Sequence, residues 1–121
     1  MFYIGNAFSL QMVQDFANVA VSPATATEVK EGFYKNLPSS VKFCIGHADT
    51  ARIAAKELAN VPYCNDWVEF NEELVFHRVN INLVPGDVLY VLQVVGGRLP
   101  EGCTELPEGI QLQWRKVVVT D

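Results

Sequence analysis

The feature that most constrains the fold is an apolar run at residues 88–95, in which Gln93 is the single polar residue. A strand that is apolar on both of its alternating sides is covered on both faces, and such strands lie inside α/β sheets. The turn signals Pro85-Gly86-Asp87 before the run and Gly96-Gly97 after it mark its ends. The run therefore predicts a central strand.

Shorter segments around this run also carry strand signals. Strands are predicted at residues 1–4, 19–21, 41–45, 79–83 and 111–119. In residues 79–83 three apolar side chains alternate with Asn80 and Asn82, as in a half-buried strand. Because helix signals lie between the strands and 121 residues is the size of one domain, we expect a single α/β domain over residues 1–121. Its mixed β-sheet is expected to be flanked by helices.

Two helices are predicted in the first third of the chain. Ser9 can cap a short helix that places Leu10, Val13 and Phe16 on one face. Ser22-Pro23 has the pattern of an N-cap followed by proline at the first helical position, so a second helix is expected to start there.

A third helix is expected to begin near Asp49 or Thr50. Its small apolar residues recur with helical spacing and predict a buried stripe made of Ala51, Ala54, Ala55 and Leu58. The following residues 60–73 have no regular pattern, and Trp67 and Phe70 are expected to fix this segment to the domain.

The charge of the chain limits its partners. The formal net charge is −5 at pH 7, whereas proteins that bind duplex nucleic acid normally show a basic face. We therefore expect no duplex nucleic acid partner, although a cleft with a few donors can still hold a small anionic ligand. No apolar run approaches the roughly 20 residues that span a bilayer, and the first residues lack the pattern of a signal peptide. A cytoplasmic protein that binds no membrane is expected.

The cysteine pattern argues against a metal site. Cys44, Cys64 and Cys103 are scattered without the Cys-x-x-Cys spacing. An odd, dispersed set is typical of reduced thiols, with Cys44 expected in the core. Four well-spaced Cys or His ligands are missing, so the sequence predicts neither a zinc ion nor any other cofactor.

The segment Ile-Gly-His at residues 45–47 carries the strongest chemical signal. A strand followed by Gly46 and a helix start places His47 at the edge of the sheet, beside backbone N–H groups that the helix leaves unpaired. Thr50 adds a hydroxyl donor there. A histidine in this position can give or take a proton near neutral pH. The structural alternative is that His47 only caps the helix.

Two further segments carry polar groups suited to a phosphate ligand. In the loop at residues 96–102, Arg98 can clamp phosphate with two parallel hydrogen bonds, and Glu101 can accept a proton or orient the histidine. Near the N-terminus, Asn6 and Ser9 offer donors at another helix start. The alternatives are a solvated turn for the loop and ordinary caps for the N-terminal residues. His77 is interpreted as a surface residue.

In combination and order, these segments resemble the viral ring nuclease family. The motifs are Asn-Ala-Phe-Ser after the first strand, Ile-Gly-His with a threonine three residues further on, and Arg-Leu-x-Glu-Gly after an apolar strand. The resemblance covers most of the chain, including the closing strand near Trp114. Proteins of this family are anti-CRISPR proteins of type III systems that bind and cut cyclic tetra-adenylate.

The resemblance implies a role for individual residues. His47 and Glu101 match the catalytic histidine and glutamate of the family. The expected ligand-binding residues are Asn6, Ser9, Gly46, Thr50 and Arg98. The resemblance also implies a homodimer in the cytoplasm of an infected host cell, with the ring across the two-fold axis. The expected products, formed without metal or cofactor, are linear di-adenylates that end in a 2′,3′-cyclic phosphate.

The sequence also departs from the family. Ala48 and Asp49 replace the usual Asp and Ser, and a carboxylate at position 49 would repel phosphate unless it points away as a helix cap. Two other functions are consistent with the residues: a nucleotide sponge that binds the ring without cutting it, and a structural or interaction protein. The presence of both His47 and Glu101 favours cutting.

Overall fold

Five strands and three α-helices make up the part of the chain that the computed structural model describes, which is residues 1–37, 40–94 and 111–121. The strands are β1 Phe2–Gly5, β2 Asn18–Pro23, β3 Val41–Cys44, β4 Val88–Val94 and β5 Leu112–Thr120. The α-helices are α1 Ala26–Asn36, α2 Ala48–Asn60 and α3 Glu72–Val75. They form one α/β domain, as predicted.

The five strands form one mixed sheet in the order β2-β5-β4-β1-β3. β1 runs parallel to both β3 and β4, whereas β5 runs antiparallel to β2 and β4. The apolar run predicted to be central is β4, the middle strand, and Leu89, Val91 and Leu92 on it are at most 1% exposed. The prediction for this strand is confirmed as far as Val94.

The helices cover one face of the sheet. The predicted stripe of α2 is buried there against Ile4, Tyr90 and Trp114. α1 lies very close to β1, because a Cβ added at Gly32 would be only 2.6 Å from Cε2 of Phe2. Gly32 thus lowers the helix propensity of α1 but allows this close contact.

The opposite face of the sheet is covered by irregular chain. Its buried strand residues are Leu89, Val91, Val117 and Val119, and they pack against Ile81, Leu83, Phe8, Met12 and Val13. This second layer contains none of the three α-helices.

Two predictions are only partly met or fail in this irregular layer. Ser9 is the N-cap of a short helix, as predicted, but this is a 3-10 helix over Leu10–Met12 that ends before Val13, and Phe16 is fully exposed at a φ of 67°. Residues 79–83 form no strand of the sheet. The N–H of Leu83 donates to Met12 O, and the N–H of Gln14 donates to Leu83 O. The two segments therefore bond to each other over the sheet, which replaces both predicted elements.

Helix α1 begins later than the Ser22-Pro23 pattern predicted. Its N-cap is Thr25, whose Oγ1 accepts the backbone N–H of Glu28 at 3.2 Å. Pro23 instead ends the edge strand β2, where a missing N–H is tolerated. The prediction was wrong because a Thr-x-x-Glu cap follows directly and starts the helix there.

Residues 61–70, here called the strap, are bound to α1 by a fully buried lysine. Nζ of Lys30 donates to Val61 O at 2.7 Å and to the carboxylate of Asp66. The hydroxyl of Tyr34 donates to the other oxygen of that carboxylate and accepts the N–H of Val68 at 3.1 Å. One carboxylate therefore joins two side chains of α1 to the strap.

The aromatic residues of the strap only partly match the prediction. Phe70 is 7% exposed and packs in the core, as predicted. Trp67 is 72% exposed, and it lies near α1 through a ring contact with Tyr34, at 6.1 Å between centroids, and a backbone hydrogen bond to the Tyr34 hydroxyl. The strap leads into α3, which was not predicted, and then to Phe76, which pairs with Ile45 in a parallel bridge.

Candidate functional site

The connections that follow β1 and β3 leave the sheet on opposite faces. After β1 the chain packs Phe8 and Met12 on the face without α-helices, whereas after β3 the helix α2 packs on the other face. Because the two strands are parallel neighbours, a crevice opens outside their carboxyl ends. Open α/β sheets bind their ligands in such a crevice.

A cleft of 510 Å³ lies at this crevice, within the range of roughly 300–1,000 Å³ found for ligand sites. One group of lining residues comes from segment 6–12 and a second from segment 77–82. Cys44 and Gly46, at the end of β3, complete the lining. Three of the predicted ligand-binding residues, Asn6, Ser9 and Gly46, therefore line one cleft.

Asn6 joins the ends of the two parallel strands. Its Oδ1 accepts the backbone N–H of Gly46 at 3.1 Å. Ser9 is exposed beside it, and its backbone N–H points to the sulfur of Met12 at 3.3 Å. The side chain of Asn6 thus has a structural partner already, and Ser9, although exposed, is the N-cap of the 3-10 helix.

His47 follows Gly46 directly and is the N-cap of α2. Its Nδ1 accepts the N–H of Thr50 at 3.4 Å and lies 3.3 Å from the Thr50 hydroxyl. The cap foreseen as an alternative is therefore present. Thr50 is only 3% exposed, so its hydroxyl contacts the imidazole instead of reaching into the cleft. In this arrangement Thr50 orients His47.

Arg78 is a cleft residue that the sequence analysis missed. Its Nε donates to Gly46 O at 3.2 Å, and its guanidinium lies over the ring of Phe76 at 5.5 Å. The bridge between Ile45 and Phe76 brings it there, with the N–H of His77 donating to Ile45 O at 2.9 Å. No local pattern shows this contact, because its partners are 32 residues apart.

His77 is exposed, as predicted, and it also lines the cleft. Its Nε2 donates to Leu74 O at 3.0 Å, because a carbonyl can only accept. Among the described residues His77 is thus the imidazole that lines the cleft, whereas His47 is not one of the lining residues.

Asp49, the acidic departure from the family motif, is engaged within its own helix. Its carboxylate lies 3.8 Å from the guanidinium of Arg52 in the first turn of α2. An acidic side chain in the first turn also interacts favourably with the helix dipole. The charge of Asp49 is thus offset by two local partners.

Cys44 presents a neutral thiol to the cleft. Burial raises its pKa to about 11, and the nearby Lys42 lowers it by less. Cys44 is half-buried, so the expectation of a core position is only partly met. A protonated thiol brings no negative charge to a site for an anion.

Comparison with known proteins adds one finding about the fold. No protein-family model matches the sequence, and no curated protein matches it. The structure superposes on B116 of Sulfolobus turreted icosahedral virus with a TM-score of 0.64 and 16% identity, covering 97% of each chain. The chain has the fold of a viral protein.

Arg98 and Glu101, the two predicted residues of the glycine-flanked loop, come after the carboxyl end of β4 in the sequence. They lie outside the described residues. β4 is parallel to β1, and Gly5 aligns with Val91, so β4 extends past the end of β1. Val94, the last residue of β4, therefore lies at the same edge of the sheet as Asn6.

Among the described residues, no three or more His, Cys, Asp or Glu side chains come together in a group that could hold a metal ion. Within the same ranges, no helix has the length and apolar character needed to cross a membrane.

Proposed function

We propose that this protein is a metal-independent ring nuclease that binds cyclic tetra-adenylate and cuts it into linear di-adenylates. The observation that carries the proposal is the cleft at the ends of β1 and β3, which Asn6, Ser9 and Arg78 line together with Gly46, the residue before His47. The motif resemblance supplies the substrate, and the fold shared with a viral protein is consistent with it. A role in countering type III CRISPR immunity is part of this proposal.

The reaction needs only groups that this chain contains. The ribose 2′-oxygen attacks the adjacent phosphorus, a new P–O2′ bond forms, and the bond from phosphorus to the 5′-oxygen breaks. The 2′-hydroxyl proton passes to a base, for which Glu101 is the candidate, and His47 protonates the leaving 5′-oxygen. A histidine acid typically contributes a factor of about 10² to 10⁴, and alignment of the tethered hydroxyl contributes further.

The cap of α2 sets the protonation pattern of His47. Because Nδ1 accepts the Thr50 N–H, the proton of the neutral ring resides on Nε2. To protonate the leaving oxygen, His47 must be an imidazolium, in which both ring nitrogens carry a proton. Nε2 can then deliver its proton, while Nδ1 no longer accepts the Thr50 N–H and can donate to the Thr50 hydroxyl oxygen 3.3 Å away. The acid form of His47 therefore exchanges the cap hydrogen bond for the hydroxyl contact.

Cations near the cleft would hold the phosphates. Arg78 lies in the described cleft, and Arg98 is proposed from the motif as a second clamp. A ring of four nucleotides is larger than a drug-sized ligand, so one cleft would hold only part of it. A homodimer whose two-fold axis passes through the ring would supply the other half of the site.

One observation favours a nucleotide sponge as a second candidate. The contacts of His47 with Thr50 match a purely structural cap, and a sponge needs the phosphate clamps but no acid. Incubating the protein with cyclic tetra-adenylate and separating the products distinguishes the candidates. A ring nuclease yields di-adenylates, a sponge retains the intact ring, and a protein that neither binds nor cuts the ring refutes the proposal.

We predict that Arg78→Ala weakens the binding of cyclic tetra-adenylate by about tenfold to a hundredfold, because a charge-assisted hydrogen bond to phosphate is lost. The loss should shrink at high salt, where screening weakens this interaction. Arg115→Ala is the matched control, since Arg115 is exposed on β5 and does not line the cleft. Isothermal titration at two salt concentrations measures both effects. Equal affinities of the two variants would exclude Arg78 from the site.

A further inference from the structure

The cleft carries a set of amide side chains that the proposed reaction does not use. Gln11 lines it from the 3-10 turn, and Asn80 and Asn82 line it from segment 77–82. All three are exposed. None of the described residues that line the cleft is acidic, and its polar side chains include these amides, His77 and Arg78.

Asn80 and Asn82 are held in place by their apolar neighbours. Ile81 is 9% exposed and Leu83 is fully buried, and both pack onto the sheet. The N–H of Leu83 donates to Met12 O at 2.6 Å and fixes the backbone there. Asn80 and Asn82 therefore line the cleft from an anchored segment, on either side of Ile81, which also lines it. Groups supported in this way can discriminate between ligands by geometry.

An amide is chemically complementary to one edge of adenine. The amide oxygen accepts from the 6-amino group while the amide nitrogen donates to N7, and this pairing is the usual contact of Asn with adenine. Exposed bases of single-stranded nucleic acid are recognised on such edges and by packing on their faces. Met12 and Val79, which also line the cleft, supply apolar surface for that packing.

We infer that Asn80 and Asn82 are the residues that select adenine as the base of the ligand. This inference rests on the proposed function, because it assumes that the cleft holds a cyclic oligonucleotide. It goes further than the proposed function because it assigns the recognition of the base to segment 77–82. The phosphate contacts and the proton transfer at His47 are separate roles.

The experiment compares cyclic tetra-adenylate with cyclic tetra-inosinate, in which a carbonyl oxygen replaces each 6-amino group. Binding is measured by titration in the His47→Asn background, so that neither ring is consumed. We expect the protein to prefer the adenylate by about tenfold to a hundredfold, the discrimination that a bidentate pair supplies. Asn80→Ala with Asn82→Ala should abolish most of this preference. Asn65→Ala, an exposed amide on the strap outside the cleft, should leave it unchanged.

The outcomes separate this inference from the proposed function. Loss of the preference in the double variant, with an unchanged unfolding temperature, supports it. The inference is overturned if the preference survives the double substitution, or if the protein that retains Asn80 and Asn82 binds both rings equally. Either result leaves the proposal of ring binding intact. Failure to bind either ring overturns both the inference and the proposed function.

Discussion

Replacing His47 by alanine should lower the rate of ring cleavage by about two to four orders of magnitude while ring binding changes little. A proton donor acts mainly in the transition state, so its loss appears in the turnover rate more than in affinity. Because His47 also caps α2, alanine should in addition lower the free energy of unfolding by about 0.5–2 kcal/mol. Single-turnover kinetics and urea unfolding measure the two effects separately.

The variant His47→Asn separates the acid from the cap. Asparagine is among the best N-cap residues, so the free energy of unfolding should stay close to that of the parent protein. Asparagine cannot donate a proton to a leaving alkoxide, so cleavage should fall as far as it does in His47→Ala. If His47→Asn keeps near-normal turnover, His47 is only a cap.

A second large effect is expected from Lys30→Ala, which should lower the free energy of unfolding by about 3–5 kcal/mol. Lys30 is fully buried, and its ammonium bonds to Asp66 and to Val61 O while it lies 5.4 Å from the ring centre of Phe70. Alanine removes these contacts and leaves a cavity beneath the strap. This is a large part of the roughly 5–15 kcal/mol that stabilises a typical domain.

The matched variant Lys30→Met tests whether charge or volume matters. Methionine fills most of the space, and replacing a buried charge by an apolar group of similar volume is often nearly neutral. We therefore expect Lys30→Met to lose much less stability than Lys30→Ala in urea unfolding at pH 7. Equal losses in both variants would mean that the ammonium contacts, rather than the filled volume, dominate.

The same pair should make stability depend on acid pH. The hydrogen bond from Lys30, and then that from Tyr34, holds the pKa of Asp66 below its ordinary value of 3.8. The unfolded chain therefore takes up this proton first, so the contribution of the pair is complete above pH 3.8 and is lost as the pH falls through the lower, folded pKa. This acid-side loss should be smaller in Lys30→Met.

The spacing of apolar residues within a segment predicted those elements whose buried side can be identified from the segment alone. The apolar run at residues 88–95 identified β4, and the spacing of Ala51, Ala54 and Leu58 identified the buried side of α2. The same reasoning failed for residues 79–83. Ile81 and Leu83 are buried as the alternation indicates, but the backbone of this segment bonds to the segment around Met12 instead of to a strand of the sheet. Alternation shows which side chains are covered; it does not show whether the partner is a strand of the sheet.

The candidate site was predictable to a similar extent. A glycine between a strand and a helix marked Gly46 and His47, and both lie at the end of β3 as expected. Arg78 could not be predicted, because its place in the cleft depends on the bridge between Ile45 and Phe76. The strap between α2 and α3 precedes this bridge in the chain, and it is anchored by Lys30, which lies on α1. Such long-range contacts leave no local pattern.

The proposed reaction opens the ring with its own 2′-hydroxyl groups. The most direct test is mass spectrometry of the products after the protein has been incubated with cyclic tetra-adenylate in EDTA. We expect linear di-adenylates that carry a 2′,3′-cyclic phosphate, formed at the same rate with and without EDTA. Cleavage that stops in EDTA and returns with magnesium or manganese, or products that end in a plain 5′- or 3′-phosphate from the start of the reaction, would contradict it.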